Sequence, residues 1–318
     1  MFDEKFLFEE FDKINNCLNF LKSSEFNKKI VWLGNSQLMV INNPKKGEFT
    51  ASTLAFNRWE KKDITIITFA MPNASLKEHY ILFEYFVNKI KIDIFIISIV
   101  FDDTRENRIR SQLIEAVKDK NVNKQLIRSE IGKSIINSSY LSENKEKKVS
   151  LQTKAEGWIN KNIQMCCKWI SIRESTQGLI SIYLYKFRNY VFNIKPTTKR
   201  KMVLGYYEQN LKSLERLLKR SNELQIEVLL YISPLRQDIS IPYDLNEYNR
   251  FKNNIEELAL NYEAHYTNLE NIVDGSLWGL KRSTTLKNVD EIDFMHFKYE
   301  GHEILENKIS EKLKEIIE

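Results

Sequence analysis

KIVWLGNSQLMVINNPKKG, residues 29–47, passes from an apolar run straight into a polar turn. Ile30-Val31-Trp32-Leu33 is β-branched and aromatic, the composition of a buried strand, and Gly34-Asn35-Ser36 is a turn signal that ends it. Ser36 therefore stands at a strand's carboxyl end, where open α/β sheets form their ligand crevice. Gly, Asn and Ser are also what any turn uses, so from these residues alone Ser36 is either a nucleophile or a turn residue.

Outward from this stretch, apolar runs alternate with amphipathic ones. Ile30–Leu33, Ile64–Phe69, Ile92–Val100, Ile226–Ile232 and a weaker His265–Asn268 read as strands. Leu76–Lys91, Arg105–Asp119, Tyr206–Leu224, Leu245–Tyr262 and Gly301–Ile317 have helical periodicity. That order predicts a parallel sheet covered by helices on both faces, a three-layer α/β/α domain. Residues 122–202 break the pattern: a polar, Lys-rich stretch leads into a helical, aromatic one with no strong strand. The expected organisation is an N-terminal helical extension over 1–28, an α/β domain formed by 29–121 and 203–318, and a helical, basic-aromatic insertion over 122–202.

The chain has 318 residues, 42% hydrophobic and 29% charged, with 9 Gly and 5 Pro, which suits a globular protein with a sizeable core. A net charge of +5 permits an anionic substrate or surface without demanding nucleic acid. Cys17 and the adjacent Cys166-Cys167 have no metal-ligand spacing and cannot all pair within one chain, so a reducing compartment is expected. The opening MFDEKFLFEEFDKINNCLNFLKSS carries early acids on an amphipathic pattern and does not read as a signal peptide. No run reaches the roughly 18 apolar residues of a spanning helix. A cytoplasmic protein is expected, or a soluble piece whose export signal lies outside the chain.

Three further stretches bear on Ser36: AMPNAS (70–75) after the second strand, VFDDTREN (100–107) after the third, and EIDFMHFKYEGHEIL (291–305) before the last helix. Parallel topology places such loops on one rim. Asp293 precedes His296 by three positions, close enough for one loop to let the carboxylate bond one imidazole nitrogen while the other faces a serine. Asp102, Asp103 and Arg105 either serve this rim or begin a helix, whose N-terminal end favours acids. Arg236, after the strand IEVLLYI, either meets an anionic substrate group or is solvated.

With G-N-S at Gly34-Asn35-Ser36 and D-F-M-H at Asp293–His296, the sequence resembles the SGNH (GDSL-like) hydrolases, and within them the bacterial branch of acyl-modifying proteins associated with envelope glycans. The resemblance covers roughly 29–119 and 206–317. It implies an SGNH-like α/β/α fold and acyl transfer from an oxygen ester, to water in an esterase or to a sugar hydroxyl in an O-acyltransferase. It implies Ser36 as nucleophile, His296 as base, Asp293 as its orienter, and the N–H groups of Ser36 and Asn73 as oxyanion donors. Asn73 stands where the family has a glycine, Asn35 where it has an aspartate, and Asp102 where it has the asparagine that adds a side-chain donor; Arg105 or the Asn73 amide is the candidate substitute. An acylated small molecule or glycan is the implied substrate, with no metal and no organic cofactor. Two other readings stand beside it: a non-catalytic binding protein on the same fold, and a basic surface module.

That last reading rests on ISIYLYKFRNYVFNIKPTTKRK, residues 180–201, where five aromatics accompany six cations and no acid. Packing on the domain or over an acyl cleft, contact with an anionic membrane surface, and nucleic-acid stacking would all use such a stretch, nucleic acid being the least expected. Oligomeric state is not readable from the residues.

Overall fold

The computed structural model describes residues 5–7, 11–23, 25–147, 195–283 and 289–318. Six strands form one sheet, β1 (Lys5–Leu7), β2 (Lys28–Gly34), β3 (Ile64–Ala70), β4 (Ile94–Ile99), β5 (Glu227–Ile232) and β6 (His265–Asn268), in the order β1-β3-β2-β4-β5-β6. Every pairing is parallel. From β2 the chain goes first to β3 on one side and then crosses back to β4 on the other. The carboxyl end of β2 is thus the point where strand order reverses, and the connections on either side leave a crevice there.

Alternation along the strands sorts the core into two layers. Ile30, Trp32, Ile64, Ile66, Ile94, Ile96, Leu229 and Tyr231 face helices α2 (Ala51–Trp59) and α9 (Tyr299–Ile317). Their neighbours Val31, Leu33, Ile67, Phe69, Phe95, Ile97, Leu230 and Ile232 face the other side. There they meet α1 (Phe11–Ser23), α3 (Leu76–Val87), α4 (Ser111–Lys118), α5 (Lys120–Leu126), α6 (Glu130–Lys147), α7 (Leu204–Leu224) and α8 (Leu245–Asn261). Both faces of the sheet are covered, which is why its central strands read as unbroken apolar runs.

Three departures from the sequence reading have physical reasons. The N-terminal extension is not wholly helical: Lys5–Leu7 pairs with Thr68–Ala70 and occupies the hydrogen-bonding edge that β3 would otherwise expose. The boundary drawn at 122 cuts through packed structure, since Val122, Leu126, Ile131 and Ile135 are buried in the same core as α3 and α7; residues 148–194, most of the expected insertion, lie outside the described residues. Finally, the chain before α9 is a two-stranded antiparallel hairpin of β7 (Trp278–Lys281) and β8 (Glu291–Phe297), and it carries Asp293 and His296.

Candidate active site

Gly34 closes β2 where a Cβ would overlap the Leu38 side chain, so glycine lets the chain turn tightly over the sheet. Asn35 then caps a single 3-10 turn, Ser36–Leu38, its Oδ1 accepting the Gln37 N–H at 3.0 Å. Ser36 opens that turn, so its own N–H lies at a helix start, where no intrahelical acceptor exists. The side chain is half-buried.

β8 brings the other two groups. Asp293 Oδ1 accepts the N–H groups of Met295 (2.9 Å) and His296 (3.1 Å), a local turn that lifts these residues out of the ladder. His296 Nδ1 lies 3.0 Å from Asp293 Oδ2, and His296 Nε2 lies 3.1 Å from Ser36 Oγ. Burial pushes the Asp293 carboxyl up, but donation from His296 and from the two backbone N–H groups outweighs it and holds the carboxyl below its ordinary range. An ionised carboxylate can only accept, so the imidazole proton sits on Nδ1 and the Nε2 lone pair faces the serine hydroxyl, which donates to it. Gln37 ties these loops together, its Nε2 donating to the carbonyls of Pro234 (2.9 Å) and Met295 (3.1 Å).

Asn73 follows β3 and holds φ at 51°, in the left-handed region that asparagine tolerates. Its turn is anchored on both sides. Met71 N–H donates to Gly34 O at 3.1 Å, which sets the turn beside that of Ser36. Arg110 donates to the carbonyls of Pro72 and Asn73 while pairing with Glu78 at 2.5 Å, and Glu78 also closes the capping box of α3 with Ser75.

The Asp102 carboxylate, expected at the amide position of the oxyanion site, is turned to other partners. Residues Phe101–Arg105 form a 3-10 helix, and the Asp102 carboxylate is taken up by Arg105 (2.9 Å), by Arg200 and by the Tyr243 hydroxyl (3.0 Å). Arg105, the candidate substitute, spends Nη1 on Asp102 and Nε on the Lys201 carbonyl. Asp103 is the residue that reaches the serine turn: fully buried, it accepts from Asn35 Nδ2 at 3.4 Å and from Val100 N–H at 3.0 Å. Burial drives its carboxyl well above the usual range, against the pull of these two donors.

Arg236 grips both oxygens of Asp238 (2.8 and 3.0 Å) and the Gly279 carbonyl, bracing the loop after β5 against β7. Within the basic stretch 180–201, residues 180–194 lie outside the described residues. Of the remainder, Lys199 donates to Ser240 Oγ and the carbonyls of Ile241 and Tyr243, and Arg200 is paired with Asp102; these two cations are engaged by the domain itself. No helix among the described residues is long and apolar enough to cross a membrane.

No family model matches the sequence, and no curated protein matches it in sequence. In three dimensions the chain is similar to a protein from Bacteroides fragilis assigned as an acylhydrolase (9% identity, 95% of each chain covered, TM-score 0.45). It is similar also to a psychrotrophic esterase from Pseudoalteromonas sp. (11% identity, 92% of this chain and 99% of that one, TM-score 0.45). An acetylxylan esterase from Geobacillus stearothermophilus is a third (10% identity, 88% and 91%, TM-score 0.41).

Proposed function

We propose that the protein is a serine-dependent acyl-ester hydrolase. The observation that carries this reading is the hydrogen-bonded series Ser36 Oγ, His296 Nε2, His296 Nδ1, Asp293 Oδ2, with contacts of 3.1 and 3.0 Å at the point where strand order reverses. His296 takes the Ser36 proton as Oγ attacks the ester carbonyl, and Asp293 stabilises the resulting imidazolium. The oxyanion is received by the N–H groups of Ser36 and Asn73. Collapse expels the alcohol, which takes its proton from His296, and leaves an acyl group on Ser36. A second oxygen nucleophile then gives its proton to His296 as it attacks the acyl carbonyl, and collapse breaks the bond to Ser36 Oγ, which takes that proton back from His296.

The finer reading is that the acyl carrier is a carbohydrate and that the second nucleophile is water or a sugar hydroxyl, as the resemblance of the G-N-S and D-F-M-H motifs implies. A carboxylate at the amide position would favour the other reading, a non-catalytic binding protein on the same fold. With Asp102 held by two arginines and a tyrosine, that ground no longer favours it.

The test is acetate release from p-nitrophenyl acetate and from acetylated oligosaccharides, with unacylated sugar added as competing acceptor. Turnover lost in Ser36→Ala supports the reading, and acetyl transfer to added sugar identifies the acyltransferase. Equal turnover in Ser36→Ala refutes both.

A further inference from the structure

Between the paired positions Trp278↔Phe297 and Leu280↔Ile292, one residue of β7, Gly279, faces four of β8, Asp293 to His296. Such a mismatch leaves ladder groups without their usual partners and needs other polar atoms to fill the gap. Asn42 fills it. Its backbone N–H donates to the Phe297 carbonyl at 2.9 Å on β8, and its Nδ2 donates to the Leu280 carbonyl at 3.1 Å on β7. The same Nδ2 lies 3.3 Å from Asp293 Oδ2.

Gly279 makes this seat possible, because a Cβ there would overlap the Asn42 amide. The other donors to Asp293 come from its own turn: Met295 N–H and His296 N–H on Oδ1, and the His296 ring on Oδ2. Among the described residues Asn42 is the donor from another part of the chain, and it adds to the His296 ring on Oδ2. Asn42 also follows closely on the serine turn, whose Ser36 carbonyl accepts the Val40 N–H at 3.2 Å. One short loop therefore joins the element bearing the hydroxyl to the carboxylate that orients the base.

We infer that Asn42, seated by the bare Cα of Gly279, is a positioning residue that aims Asp293 at His296. This rests on the reading of Ser36, His296 and Asp293 as the reacting unit. Nothing in it requires Asn42 to touch substrate; it acts through the acid.

A four-protein cycle tests it: parent, Asn42→Ala, Gly279→Ala and the double variant, each measured for kcat, KM and Tm with p-nitrophenyl acetate. Asn42→Ala should lower kcat by about ten- to a hundredfold with KM within about twofold, the pattern of a lost transition-state interaction. Gly279→Ala should lower both Tm and kcat, because its methyl displaces the amide. In the double variant the methyl occupies the room the amide vacates, so Tm recovers towards that of Asn42→Ala while kcat stays low. Parent-like kcat in Asn42→Ala, or recovery of kcat together with Tm in the double variant, overturns the inference. Ser36→Ala, run alongside, reports separately on the hydrolase reading. A readout free of turnover is the His296 Nδ1–H proton resonance, expected to be protected in the parent and exchange-broadened in Asn42→Ala and the double variant; its persistence in both also overturns the inference.

Discussion

Ser36 Oγ and His296 Nε2 stand 3.1 Å apart across 260 positions of sequence. Their contact depends on two separately built pieces, a capped 3-10 turn after the central strand and an irregular hairpin strand before the last helix. If they act as one unit, their deletions do not add. Ser36→Ala and His296→Ala should each lower kcat by roughly 10³-fold or more, and the double variant should be scarcely worse than either. Asp293→Asn should retain more activity, since it disturbs orientation and charge but leaves the attacking group in place. Steady-state kinetics on the four proteins check this.

The Asn73 turn makes a second prediction. Its left-handed backbone suits Gly or Asn and penalises a β-branched residue. Asn73→Gly should keep turnover within about threefold, whereas Asn73→Val should lower kcat by about 10²-fold by turning the N–H away, the usual worth of one oxyanion donor. Arg110→Lys, which cannot span Glu78 and the Pro72 and Asn73 carbonyls together, should lower kcat by about tenfold in a folded protein. Comparison of kcat with circular dichroism separates a moved turn from a lost fold.

How far the sequence foretold this arrangement depends on the range of each interaction. The central strands, the turn at Ser36 and the D-F-M-H spacing are local patterns, and the parallel order follows from their alternation with helices. Lys5–Leu7 is too short to show a period, so its place at the sheet edge is set by the partner strand. The hairpin of Asp293 and His296 reads as a loop in the sequence because its register slips and the alternation of Glu291 to Phe294 breaks at Met295. The setting of Asp102 is legible only in part: Arg105 stands three positions on, but its other partners Arg200 and Tyr243 lie 98 and 141 positions away, and nothing beside it in sequence announces them. Asn42 meets Asp293 across 251 positions, a contact that only the folded chain reveals.

His79 gives a prediction about acid stability. It is fully buried in α3, and among the described residues neither ring nitrogen has a hydrogen-bond partner; burial, reinforced by the Arg110 charge, lowers its pKa to about 3. The folded state therefore stays unprotonated while the unfolded chain takes up a proton as pH falls below about 6.5. Stability from this group is present above that value and lost as pH falls towards the folded pKa. His79→Leu removes the loss, so relative to the parent it should gain about 2 kcal/mol between pH 8 and pH 5 in urea unfolding.

Asp103 works in the opposite direction. Its pKa is raised in the folded state by burial, so its contribution is intact below the ordinary carboxylate range and is lost as pH rises towards the folded value. Asp103→Asn mimics the protonated acid and keeps an acceptor for Asn35 and Val100. Its Tm advantage over the parent should therefore widen between pH 4 and pH 7, and a constant or shrinking gap would show that Asp103 is ionised in the fold.

The most direct test of the central claim is labelling with a fluorophosphonate, which reacts with an activated serine hydroxyl and spares ordinary ones. Mass spectrometry of the labelled, folded protein should find a single adduct on Ser36, with labelling lost in Ser36→Ala and slowed by at least about a hundredfold in His296→Ala. An unlabelled parent, or an adduct that His296→Ala forms as fast as the parent, would contradict the account and leave Ser36 as the turn residue its neighbours also permit.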